Sequence, residues 1–181
     1  RNNDELVATY GNLVNRVLSF AYRSCDGRVP EPREEVRMDV ASKALMSRAE
    51  SVISEVHVAL GSCRFKEGIR IAMDLARESN RYLEEQAPWK TAKTDMRAAS
   101  NALYVGMYVL SALKTVLYPY MPASSQKVHN YLGFKGTVAD GGWQLHRPVP
   151  GSVLVKPSRL FEKLDEEAIR DRMAESDVEV R

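Results

Sequence analysis

Four polar side chains, Asn12, Arg16, Ser19 and Arg23, follow one another at steps of four, three and four residues. That spacing puts them on one face of a helix, opposite a Leu/Val stripe. The row offers an amide, a hydroxyl and two guanidinium groups, with no acid among them. Such a set suits hydrogen bonding to a polar edge, and it equally suits an ordinary solvated face. A second feature is the run Gln86-Ala87-Pro88-Trp89-Lys90. Proline disfavours helix at the residue before it, so Trp89 falls at a corner, where full burial of an indole is hard. An accessible indole beside Lys90 and Lys93 is suited to stacking an unpaired base, worth about 1–3 kcal/mol per base. A Trp folded inward to plug the end of a bundle is the other reading. The residues alone leave both open. Asn80 falls near an apolar helical arc, where its amide needs partners; it is expected to fix a helix or loop end.

Catalytic groupings are missing. No glycine loop for phosphate and no His-Glu-x-x-His pair occurs. His57, His129 and His146 are far apart in the sequence and read as isolated structural or solvated rings. Glu84 and Glu85 are adjacent, so they point to different sides of a helix and make no acid/base pair. Cys25 and Cys63 have no further Cys or His at ligand spacing, which argues against zinc. Both read as reduced, cytosolic thiols with core packing as their role. No catalytic residue, bound cofactor or metal is expected.

Six helices are predicted to carry these groups. Apolar periodicity places them over about Asn3–Tyr22, Arg33–Leu60, Phe65–Gln86, Asp95–Leu117 and Ala123–Leu132, with a short charged one over Asp165–Glu175. Val40 is assigned to the stripe of the second, and Phe65 and Ile69 to that of the third. The fourth is apolar almost all round and should lie at the centre of a bundle. Beyond Phe134 the chain is punctuated by Gly136, Gly141, Gly142, Pro148, Pro150, Gly151 and Pro157, and reads as irregular. The fold expected is all-α: an antiparallel bundle of about five helices over residues 1–134, then a loop-rich extension over 135–181 ending in a short helix.

The 181 residues, 44 % hydrophobic and 28 % charged, fit one globular unit with a real core. A net charge of +2 excludes a polybasic coating, so any nucleic-acid contact must be local. No run is long and apolar enough for a membrane helix. The N-terminus is not a signal peptide, has no initiator Met and runs straight into a helical pattern. It reads as a piece of a longer protein whose missing part lies upstream.

The run Gly11-Asn12-Leu13-Val14-Asn15-Arg16 resembles the opening helix of the anticodon-binding domain of methionyl-tRNA synthetases. Ala76-Arg77-Glu78-Ser79-Asn80-Arg81-Tyr82-Leu83-Glu84-Glu85-Gln86-Ala87-Pro88-Trp89, followed by Ala92-Lys93, is the most specific match. Pro119-Tyr120-Met121-Pro122 leading to Leu132-Gly133 is similar to the end of that domain. Lys156-Pro157-Ser158, Leu160-Phe161 and Leu164-Asp165 resemble the tail after it. The likeness implies a class I synthetase domain that reads the CAU anticodon of tRNA(Met), chiefly its first cytosine. It implies that this base stacks on Trp89, that Pro88 shapes the corner, and that Asn12 and Arg16 approach from the first helix. It also implies a cytoplasmic parent enzyme that charges tRNA(Met) with methionine using ATP and magnesium. The His-Ile-Gly-His and Lys-Met-Ser-Lys-Ser signatures of that chemistry are absent, so the fragment alone should be inactive. The partners implied are the anticodon loop and the catalytic domain of the same polypeptide, with no membrane and no DNA. The tail should pack back toward that catalytic domain, and the stretch 143–161 should be poorly anchored without it. A related cysteinyl- or leucyl-type domain, or a helical interaction scaffold with no RNA role, are the alternatives.

Overall fold

A computed structural model of the chain describes residues 2–34 and 38–162. A π-helical segment, Asn2–Gly11, runs into helix α1, Asn12–Ser24. Helix α2 spans Val40–Gly61, α3 Phe65–Gln86, α4 Pro88–Thr91, α5 Met96–Val116 and α6 Pro122–Tyr131. Among the described residues there is no β-strand; Arg28 and Val153 form an isolated antiparallel bridge. The bundle therefore has the all-α architecture expected, with one short extra turn, α4, at the proline corner. The helix expected over 165–175 lies outside the described residues.

The local rules explain where the helices begin. Asp95 caps α5 by accepting from the Ala98 N–H at 2.9 Å, and Asp39 caps α2 by accepting from the Ser42 N–H at 2.9 Å. The second cap corrects one boundary: α2 starts at Val40, not at Arg33. The Arg33 backbone N–H instead donates to Asn101 Oδ1 at 3.2 Å, and its guanidinium pairs with Asp95 at 2.9 Å. Those bonds tie the segment after Pro30 and Pro32 to α5 and its cap.

Helix α5 is the hub. Every residue from Asn101 to Leu117 is buried, and α5 touches α1, α2, α3, α4 and α6. Gly106 lets α1 approach it: a Cβ there would come within 2.8 Å of Val17 Cγ2. A buried polar knot joins three helices. Ser42 Oγ lies 2.7 Å from Tyr82 Oη and accepts from Asn101 Nδ2 at 3.1 Å, linking α2, α3 and α5. Three apolar residues assigned to core stripes are exposed instead: Val40, Phe65 and Ile69. They lie in the first turns of α2 and α3, on faces that the other described residues leave open. Cys25 is half-buried and Cys63 exposed, both free, so the core role expected for Cys63 is also corrected.

The stretch 135–162 is well anchored, against the expectation for 143–161. Trp143 Nε1 donates to the Ile53 carbonyl at 2.8 Å, and Thr115 Oγ1 to the Gln144 carbonyl at 3.1 Å. Backbone bonds from Val29 to Ser152 and from Leu154 to Gly27 sew it to the loop after α1. Leu154 and Leu160 join the main core. Backbone pairing and two inserted leucines offset the high glycine and proline content that suggested looseness. Gly133 is the pivot into this stretch. Its φ is +79°, and a Cβ there would collide with the Val153 carbonyl oxygen. Gly133→Ala is therefore expected to lower stability by about 1–2 kcal/mol from the left-handed backbone alone, and by more through the collision. Chemical denaturation monitored by circular dichroism measures the loss.

Candidate nucleic-acid interface

The proline corner is built from the end of α3. The Ala87 N–H closes the last turn on the Leu83 carbonyl, and Ala87 adopts the left-handed region at φ 40°, ψ 56°. That reversal ends α3 as a C-terminal left-handed residue normally does. Pro88 then opens α4 at its first position, where the missing N–H costs nothing. Thr91 Oγ1 donates to the Gln86 carbonyl at 2.8 Å and the Ala87 carbonyl at 3.1 Å. It thereby supplies a donor to the Gln86 carbonyl at the end of α3 and joins the Lys90 and Thr91 N–H groups on the Ala87 carbonyl. Pro88 is buried, and Trp89 is half-buried against the core. The indole is thus neither a buried plug nor a free paddle.

Helix α1 delivers Arg16 to this corner. Its guanidinium carbon lies 4.5 Å from the Trp89 ring centroid, across the face of the indole. Arg16 Nη1 also reaches Glu84 Oε1 at 3.4 Å. Neither hold is strong: a cation over an exposed ring is worth roughly 0.5–1 kcal/mol, and an exposed ion pair about 0–1 kcal/mol. Arg16 is therefore positioned at the ring and free to exchange that contact for another flat, polar partner. Lys90 and Lys93 are exposed and make no ion pair among the described residues, whereas Glu84, Glu85 and Asp95 nearby are paired with Arg16, Arg81 and Arg33.

Asn80 sets α1 against α3. Its Nδ2 donates to the Thr9 carbonyl at 3.0 Å and the Ala76 carbonyl at 3.1 Å, bridging α3 to the segment leading into α1. This is the tie expected of a partly buried Asn. Of the four expected site residues, Arg16, Pro88 and Trp89 are brought together. Asn12 lies one turn before Arg16 on the same face, and its side chain lines a neighbouring groove with Asn15, Arg159 and Phe161. Ser19 and Arg23 continue the row on the other side; Ser19 Oγ donates to Asn15 Oδ1 at 2.8 Å, and Arg23 is exposed. Glu84 and Thr91 are the contributors that spacing alone did not single out. A Thr five residues beyond a helix end, past a proline, is the signal for the second.

No group of three or more His, Cys, Asp or Glu side chains among the described residues is arranged to hold a metal ion. No helix among them is long and apolar enough to cross a membrane.

A family profile described as the anticodon binding domain of methionyl tRNA ligase matches residues 32–176. A methionine–tRNA ligase of Dehalococcoides mccartyi is 45 % identical over 174 residues, covering 96 % of this chain and 31 % of that protein. One from Chloroflexus aggregans is 36 % identical over 200 residues, covering 96 % of this chain and 33 % of that protein. Among solved structures, the apo methionyl-tRNA synthetase of Mycobacterium tuberculosis superposes with a TM-score of 0.81 at 26 % identity, over 90 % of this chain and 33 % of that one. The same enzyme bound by methionyl-adenylate gives 0.81 at 27 % identity, over 90 % of this chain and 32 % of that one. The class these matches define is an all-α domain carried by tRNA-charging ligases. The chain belongs to the anticodon-binding domain family of methionyl-tRNA ligases, and it spans about a third of the length of the relatives it matches.

Proposed function

We propose that this domain reads the CAU anticodon of tRNA(Met), and that the proline corner takes its first base, the cytosine. The observation that carries this reading is the guanidinium of Arg16 lying 4.5 Å from the Trp89 ring centroid. A flat aromatic surface and a fork of donors are thereby held at one spot. Trp89 supplies the stacking surface and Pro88 fixes its angle. Arg16 exchanges its contact with the ring face for the O2 and N3 acceptors of cytosine. Asn12, one turn away or about 6 Å along the helix axis, turns from its groove to accept from the exocyclic amine. Lys90 and Lys93 meet phosphates, which add affinity but carry no sequence information.

The relatives support a wider proposal. The intact protein is a cytoplasmic methionine–tRNA ligase that charges tRNA(Met) with methionine at the expense of ATP, with magnesium. That chemistry belongs to a catalytic domain of the same polypeptide, against which the extension over 135–181 packs. A helical scaffold without an RNA role is disfavoured because Trp89 is half-buried under a cation and not sunk in the core.

Arg16→Ala tests the reading role. It should reduce discrimination between stem-loops with cytosine and with other bases at the first anticodon position by about 1–3 kcal/mol, the scale of one well-made base contact. Affinity for the non-cognate loops should change much less. The check is a set of anisotropy titrations with stem-loops differing only at that base. Equal losses on all of them would reduce Arg16 to a backbone contact.

A further inference from the structure

None of the three histidines is isolated: His57 lies 6.0 Å from the Trp143 ring, and the other two share one cluster. His129 on α6 and His146 in the irregular stretch pack on the same ring, with centroids 5.3 and 6.0 Å from that of Phe134. Lys114 of α5 places Nζ 5.2 Å from the centroid of that ring. Lys114 is 1 % exposed and has no carboxylate partner among the described residues; its ammonium donates to Thr115 Oγ1 at 3.3 Å. Nδ1 of His129 and Nδ1 of His146 are both buried without a partner. His129 Nε2 donates to the Lys135 carbonyl at 3.2 Å, so its Nδ1 is the bare nitrogen of a neutral ring. His146 Nε2 lies 3.4 Å from the side-chain amide nitrogen of Gln144. That amide can donate to it only while Nε2 is unprotonated.

Residues 135–148 lie over this cluster as a strap. Val138 N–H donates to Gln126 Oε1 at 2.9 Å, Trp143 to Ile53, Thr115 to Gln144, and Tyr104 Oη to the Pro148 carbonyl at 3.2 Å. We propose that the strap over residues 135–148 is latched to α5 and α6 by the neutral rings of His129 and His146, and that protonating them releases it.

Every charged group facing the latch bears on this. From α5 comes Lys114, and from α6 His129 itself. The strap contributes Lys135, Asp140, His146 and Arg147. The carboxylate of Asp140 is already engaged by the Thr137 N–H at 2.9 Å, and Arg147 pairs with Glu50 of α2 at 3.6 Å. Protonating His129 therefore creates a buried N–H donor without an acceptor at Nδ1. At His146, whose Nδ1 already carries the proton of the neutral ring, the added proton falls on Nε2 and ends the bond from Gln144. Together the two events add two cations beside a third. Burial is the main reason both imidazoles are held below the ordinary histidine value, and the Lys114 charge adds to it at each. The Lys135 carbonyl and the Asp140 charge work in the opposite direction at His129, and the Gly141 backbone does so at His146. Burial likewise lowers Lys114 to about 8, so it remains largely charged at neutral pH.

The sign follows. Each ring binds a proton more readily in the released strap than in the latched one. Latching is thus fully present above the ordinary histidine value, about 6.5, and is lost as pH falls below it. Lys114 acts in the same direction in a higher window: stability rises as pH climbs from about 8 toward 10.5.

Trp143 reports the state of the strap. The test uses the 181-residue chain carrying Trp89→Phe, which leaves one of its two tryptophans. It also carries His57→Gln, because that ring lies 6.0 Å from Trp143 and would contribute to its emission. Between about pH 8 and about pH 5, the span of imidazole titration, the emission should move to the red. Acrylamide quenching over the same span should rise roughly two- to threefold as the indole enters water, with the far-ultraviolet helix signal unchanged. His129→Gln with His146→Gln should remove the transition, and Lys114→Met should move its midpoint to lower pH. If the double variant does not fold, each single one should make the transition shallower. A flat emission profile, a transition that survives loss of both rings, unchanged steepness in both single variants, or loss of helix in step with the emission would each overturn the latch.

Discussion

Replacing Trp89 with alanine should weaken binding of a CAU anticodon stem-loop by about 1–3 kcal/mol, or roughly five- to 150-fold in Kd. Two losses combine. The stacking surface disappears, and Arg16 loses the ring 4.5 Å beneath its guanidinium. It then has only the long contact to Glu84 to hold it. Trp89→Phe keeps an aromatic face and should recover much of the affinity. Fluorescence anisotropy of labelled stem-loops at one fixed salt concentration measures both, since phosphate contacts make such affinities steeply salt-dependent. Undiminished affinity in Trp89→Ala would remove the platform from the mechanism.

The largest stability loss is expected at Leu83→Ala. Leu83 is 1 % exposed in the last turn of α3, and its carbonyl accepts the Ala87 N–H that closes the corner. Removing a buried leucine side chain costs about 2–5 kcal/mol, depending on how far the surroundings collapse. For a domain of this size each kcal/mol is about 2–4 °C in Tm, so a fall of roughly 4–20 °C is expected. Glu84→Ala, one residue along and exposed, is the contrast. Its ion pair with Arg16 is worth about 0–1 kcal/mol. Thermal unfolding of both variants by circular dichroism separates burial from charge at adjacent positions, and similar losses in the two would contradict this assignment.

Much of the helical frame was legible because its signals are local. The bounds of α3 follow from Pro88 and the apolar periodicity before it, and the central place of α5 follows from its apolar residues on all sides. The start of α2 was not legible. Arg33 lies in a stretch whose composition permits helix, and its bonds to Asn101 and Asp95, more than 60 residues away, hold it outside α2. The anchoring of 135–162 was hidden for the same reason: glycine and proline content reports chain stiffness, not the partners that a carbonyl finds across the fold. At the corner, the types and positions of Arg16, Pro88 and Trp89 were visible in the sequence, but their mutual contact was not. Nor does any spacing rule connect His129 and His146, which meet through Phe134.

Helix α3 has one further consequence. It runs unbroken for 22 residues, about 33 Å at 1.5 Å per residue, from the hairpin after α2 to the tryptophan corner. Near the corner it is pinned to two neighbours through Tyr82, Ser42 and Asn101. At its other tip Tyr120 Oη donates to the Phe65 carbonyl at 2.9 Å, and Gly68 lets Tyr120 and Val56 approach the helix closely. The rod is thus braced at both ends, and the tryptophan corner is the end of a fixed strut rather than of a swinging arm.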